Sequence, residues 1–116
     1  MTLDLKDNPR YFTVKGHEVK DFGKIFLGDN EMLSFKTKSE KEYDFVAKEW
    51  GFYASPSVNG RLKREGFKTA LVTNESNMIY VMVVDIEKIG IFKKYLKENQ
   101  DNRLICWIDE WFGEEE

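Results

Sequence analysis

One cysteine, two prolines and one histidine in 116 residues remove several classes of protein at once. The lone thiol, Cys106, has no partner for a disulfide within the chain, so a disulfide-stapled scaffold is excluded and a reducing cytoplasm is the expected compartment. The cysteine and histidine pairs on which zinc sites are built are missing, and no Asp-rich loop has EF-hand spacing, so no metal is expected. Gly60 and Gly66 lie too far apart for a dinucleotide fingerprint and no Gly-Lys-Ser/Thr element occurs, so no cofactor is expected either. The longest apolar run, which contains Ile79, Tyr80, Val81, Met82, Val83 and Val84, is far short of the roughly 20 residues that a membrane-spanning helix needs. No basic segment followed by an apolar one opens the sequence, and neither a membrane span nor a secretory signal is expected. Positive charge is not in excess: a formal net charge of −3 and a pI near 5.3 argue against indiscriminate nucleic-acid binding, which needs a cationic face.

What is abundant is core material. Aromatic residues make up 15% of the chain beside 34% charged ones, the balance of a soluble globular protein rather than a disordered or membrane one. The length suits one domain over residues 1–116.

Along the chain, residues 1–9 are polar, end at Asn8 and Pro9, and are expected to fray. Residues 10–14 read as a strand stopped at Lys15, Gly16 and His17, and residues 24–27 and 32–36 read as a hairpin about Gly28, Asp29, Asn30 and Glu31. Ser39 and Glu42 have capping-box spacing, and Tyr43, Val46, Ala47 and Trp50 recur at helical intervals before Gly51, which predicts a helix over residues 40–50. A short helix is expected from 58 or 60 to 65, capped by Ser57 or Asn59 and ended by Gly66. Residues 67–73 and 78–84 read as a second hairpin across Asn74, Glu75, Ser76 and Asn77, with the latter strand central and covered on both faces. Residues 86–96 carry Ile86, Ile89, Phe92 and Leu96 as an apolar helical stripe, residues 99–103 are loop, and residues 104–108 form a closing buried strand. The tail is expected to fray beyond Gly113. The fold class is α+β: a mostly antiparallel sheet of about five strands, two main helices, one short helix and a C-terminal βαβ-type crossover.

Few residues have a pattern that suits catalysis. His17 sits in a polar turn, where a solvated surface position is the plain reading, and Cys106 lies between core-type neighbours, without the nearby cation that would activate a thiol. Asp109, Glu110 and Glu114 to Glu116 read as a solvated acidic tail rather than acid/base pairs. Residues 50–64 stand out instead. Trp50, Phe52 and Tyr53 lead into Ser55, Pro56 and Ser57, then Asn59, Gly60 and Arg61, a mixture that fits neither a plain helix nor a plain strand. The candidate ligand-binding residues are Trp50, Tyr53, Ser55, Ser57, Asn59 and Arg61: aromatic walls, hydroxyl and amide donors, and a guanidinium able to grip a carboxylate or phosphate in two-pronged fashion. The alternative is an ordinary cap at Ser57, core aromatics, and Arg61 and Arg64 paired with Glu65 or Glu49. Lys63, Arg64 and Lys68 are the densest basic cluster, yet the acidic total and the lack of an RNP-like run disfavour single-stranded nucleic acid. Trp107, Trp111 and Phe112 gather near the end as a candidate interface.

The run from Trp50 to Leu62, continued by Gly66, Phe67, Lys68, Thr69, Ala70, Leu71 and Val72, resembles small uncharacterised prokaryotic proteins linked to cell-surface sugar clusters. The resemblance covers roughly the latter half of the chain and implies neither an activity nor site residues, only a lean toward a sugar or nucleotide-sugar ligand. The expected function is a non-catalytic binding or accessory protein whose 50–64 loop holds an anionic small molecule or a partner. The alternatives are a small enzyme acting on a phosphorylated or carboxylated sugar, with Tyr53 or His17 moving a proton, and a structural homodimer or protein-interaction module built on an edge strand or the Trp107 and Trp111 patch.

Overall fold

The computed structural model describes residues 1–98 and 102–111; the expected fraying beyond Gly113 and the place of Phe112 lie outside the described residues. Most of the described chain is antiparallel strand. Eight strands, rather than about five, run Thr2–Val14 (β1), His17–Phe26 (β2), Met32–Lys36 (β3), Glu42–Lys48 (β4), Gly51–Ala54 (β5), Phe67–Thr73 (β6), Ile79–Asp85 (β7) and Arg103–Trp107 (β8). The helices are short Arg61–Arg64 (α1) and one main helix, Ile89–Glu98 (α2), entered through a 3-10 turn at Ile86–Lys88; a second such turn spans Ile108–Glu110. Among the described residues no helix is long and apolar enough to cross a membrane. The chain divides into two compact units, one of Met1–Leu33 with Phe45–Tyr53, the other of Ser34–Asp44 with the chain from Ala54 onward.

In the first unit β1 and β2 form a long two-stranded ribbon with Thr2 opposite Phe26 and Val14 opposite His17. Residues 2–9, expected to fray, therefore lie within a strand: residues 2–5 pair with Phe26 to Gly23, which outweighs their polar neighbours, and residues 6–9 fall in the register shift before Arg10. The turn is Lys15 and Gly16, both at positive φ (48° and 84°), the geometry a two-residue hairpin loop demands. Gly23, at φ 122°, lies where a Cβ would strike the carbonyl oxygen of Asp4, beside the register shift between Leu5 and Arg10. Arg10 and Asp21, opposite one another, form an ion pair at 3.0 Å.

The hairpin expected between residues 24–27 and 32–36 does not form, because β2 is paired with β1 and β3 with β4. Asn30 and Glu31 instead bond to Ala47 through main-chain hydrogen bonds of 2.8 and 2.9 Å. The helix expected over residues 40–50 is β4, the middle strand of the order β3-β4-β5. Ser39 caps nothing: its hydroxyl donates to Asp85, and residues 37–41 make the turn from β3 to β4, with Glu40 at φ 69°. The β-branched and aromatic Tyr43, Phe45 and Val46 accept the strand once neighbours are present to bond it.

The second unit holds the sheet β7-β6-β8. Both outer strands are antiparallel to β6, so they run in the same direction, with α2 between them in sequence. Its core joins Ala70, Val72, Val84 and Leu96 to Met82, Ile89, Phe92, Leu104 and Trp107, placing the apolar stripe of α2 on one face of the sheet. The central strand is β6, not β7. An apolar run reports that its side chains tolerate burial, not which strands flank it, and β7 lies at an edge with Ile79 and Val81 exposed. The closing strand is also an edge, with Ile105 exposed.

Two polar clusters close this unit. Lys41 bonds Asp85 and Glu87, and Asp85 also accepts from the backbone of Glu87 at 2.9 Å, so its carboxyl is held down to about 2, chiefly by Lys41. Asp109, expected in a solvated tail, is buried and accepts from Lys68 Nζ at 2.9 Å and the Thr69 backbone at 3.1 Å. Lys68 also meets Glu110 at 2.6 Å and stands over the Trp107 ring, 5.0 Å from its centroid.

Candidate functional site

The six candidate residues divide between the units: Trp50 and Tyr53 belong to the first, and Ser55, Ser57, Asn59 and Arg61 to the second. In the first unit the β4–β5 turn is drawn tight by Gly51 at φ 144°. Trp50 occupies that turn, and its ring stacks on Tyr53 with centroids 6.2 Å apart and planes inclined by 22°. Both are open to solvent, Trp50 at 71% and Tyr53 at 45%, with Phe52 at 66% on β5. The helical spacing placed Trp50 on a buried face; in the turn that periodicity no longer applies.

In the second unit the N-cap position of α1 is Gly60, with no side-chain cap hydrogen bond, so neither Ser57 nor Asn59 takes the expected role. Ser57 instead closes the turn before the helix: its hydroxyl accepts from the Arg61 backbone at 3.2 Å, and its carbonyl accepts from Gly60 and Leu62 at 3.3 and 3.0 Å. Asn59 is exposed. Gly60 suits this turn, since a Cβ there would sit 2.5 Å from the Ser57 hydroxyl and displace it. The helix it opens is a single turn with Leu62 fully buried, and it stops at Gly66, φ 100°.

Arg61 turns inward. Its Nη2 donates to the Ser55 hydroxyl at 3.1 Å, and its Nη1 stands 3.6 Å from Asp44 and 3.5 Å from Glu65. Glu65 is a partner the sequence suggested; Asp44 is not. In a helix over 40–50, Asp44 is one polar residue among several, whereas in β4 it is buried and two positions from Glu42 on the same face. The Ser34 hydroxyl, then Glu42, hold the Asp44 carboxyl below its ordinary range, and the same contact with Asp44 raises Glu42. The only advance signal for Asp44 was the alternation Glu42, Asp44, which the helical reading masks.

His17 pairs with Val14 at the head of the β1–β2 ribbon, and Cys106 lies in β8, half-buried. Among the described residues no group of three or more His, Cys, Asp and Glu is arranged to hold a metal ion. Trp107 packs on Phe92 within the core, while Trp111 is exposed. Comparison of the chain with protein-family models, with curated proteins and with solved structures returned no match.

Proposed function

We propose that the protein is a non-catalytic binding or accessory protein, and that within residues 50–64 the recognising element is the aromatic group Trp50, Phe52 and Tyr53, which takes a protein partner. The observation that carries this reading is the stacked, exposed pair Trp50 and Tyr53 with Phe52 beside them. Three large rings left in water forfeit burial free energy of about 1.5–3 kcal/mol apiece, and aromatic side chains are the type enriched where protein surfaces meet. A tight turn on Gly51 presents them with little conformational freedom to lose on binding.

For an anionic small molecule the same segment offers less. The guanidinium of Arg61 donates to Ser55 and faces the carboxylates of Asp44 and Glu65, which an incoming anion would have to displace.

The test is photo-crosslinking in the cells that make the protein. A benzophenone side chain at Phe52 is expected to give a discrete adduct with another protein that disappears when Trp50→Ser is added, while the same probe at exposed Lys38 gives none. No adduct from Phe52, or one indifferent to Trp50→Ser, overturns the reading.

A further inference from the structure

Among the described residues the strand Ile79–Asp85 is an unpaired edge whose own sequence carries none of the usual protections. Edge strands are ordinarily kept from pairing by lysine, proline, a bulge or very short length. β7 has seven residues in unbroken register with β6, contains no lysine, arginine or proline, and exposes Ile79 at 63% and Val81 at 64%. Its one charge, Asp85, stands at the far end and is already engaged by Lys41.

The backbone shows which groups face outward. The β6–β7 ladder is bracketed by the bond from Asn74 N–H to the Met78 carbonyl at 3.2 Å and the bond from Ile86 N–H to the Gly66 carbonyl at 2.9 Å. Hydrogen-bonded and non-bonded pairs alternate in an antiparallel ladder, so Tyr80, Met82 and Val84 bond inward to Val72, Ala70 and Lys68. The N–H and C=O groups of Ile79, Val81 and Val83 therefore point to the open edge.

We propose that this edge pairs with the same edge of a second copy of the chain, antiparallel about a two-fold axis at Val81, making one continuous sheet in the order β8-β6-β7-β7-β6-β8. The strand complements itself. With Val81 opposite Val81, Ile79 meets Val83 and Tyr80 meets Met82, so apolar side chains face apolar ones on both surfaces of the sheet. The outward-facing main-chain groups of the two strands fall opposite each other, as antiparallel bonding requires. Charge fixes the register in the same sense: each Asp85 lies at an end of the ladder beside the other copy's Asn77, and the two carboxylates stand roughly 26 Å apart at about 3.3 Å per residue. A strongly charged peptide would find no counter-charge in the exposed part of β7, whereas an identical neutral strand meets every feature it offers.

β7 belongs to the second unit and the aromatic turn at Trp50 to the first, so Val81 variants are expected to leave the crosslink at Phe52 unchanged. Sedimentation of the full chain through a dilution series is expected to give twice the 13.7 kDa chain mass at the concentrated end. Val81→Pro removes an N–H that only the second copy uses, and Val81→Lys keeps every backbone donor while placing like charges across the axis. Both are expected to halve the mass while circular dichroism and the urea midpoint of Val81→Lys stay those of a folded chain. In a Cys106→Ser background Val81→Cys is expected to oxidise to a covalent dimer, because bonded antiparallel partners about 5.5 Å apart at Cα fall within disulfide reach. Ile79→Cys, which faces Val83, is expected to remain monomeric on oxidation. A wild-type monomer throughout the series, a dimer indifferent to Val81→Lys, or cross-linking by Ile79→Cys in place of Val81→Cys overturns the proposal.

Discussion

Asp85 shows how one side chain can fasten several pieces of chain. Its carboxylate receives Lys41, Ser39 and the Glu87 backbone, which joins the 37–41 turn to the end of β7 and caps the 3-10 turn that leads into α2. The cost of ionising it in the folded protein is low, and its pKa falls from an ordinary 3.8 to about 2. A depressed carboxylate stabilises the fold at pH above its unfolded value, and that contribution is lost as pH falls through the folded one. Urea midpoints are therefore expected to drop between about pH 4 and about pH 2, with Asp85→Asn flattening that slope. An unchanged slope in Asp85→Asn would assign the acid sensitivity elsewhere. None of this was legible beforehand: Lys41 and Asp85 are 44 positions apart, and no local pattern marks them as partners. Asp109 was misread for the same reason. It sits in an acidic string that looks solvated, and only the arrival of Lys68 and the Thr69 N–H makes its burial tolerable.

At the scale of elements, the stretches with two agreeing local signals were readable. The short helix α1 had the Ser57 turn before it and a stop at Gly66, β6 and β7 had their turn between them, and α2 had an apolar stripe ending at Leu96. The single turn of α1 earns its place through Leu62, which has no exposed surface. Leu62→Ala is expected to destabilise the protein by about 3 kcal/mol in urea unfolding, the middle of the range for a buried leucine. A loss below about 1 kcal/mol would mean that α1 is only loosely held to its unit. β4 was unreadable as a strand because Tyr43, Val46, Ala47 and Trp50 satisfy helical spacing as well, and the choice lay with β3 and β5 on its flanks. The candidate site followed its elements: a turn at Ser57 leading into α1 was legible, whereas the exposure of Trp50 and the Arg61–Asp44 pair depended on β4 being a strand.

For the whole molecule, much apolar surface stays in contact with water: the β1–β2 ribbon exposes Leu3, Leu5, Phe12, Phe22 and Phe26, and β7 exposes Ile79 and Val81. Charge is what keeps such a surface dispersed, and near the pI of 5.3 that charge vanishes. Turbidity is expected to peak close to pH 5.3 and to fall on either side; a featureless profile from pH 4 to 8 would show that these side chains are covered in solution. Local sequence pattern determined the mostly antiparallel α+β class, the lack of a disulfide or a zinc-type ligand set, and the stops at Gly16 and Gly66, because glycine, charge content and apolar period act within a few residues of themselves. Tertiary structure alone decided that residues 42–48 are strand, that β6 rather than β7 is central, that Asp44 and Asp109 are buried, and that Trp50 faces water. Each of those outcomes depends on which distant segment supplies the hydrogen bonds and the covering side chains, and a local pattern carries no record of that neighbour.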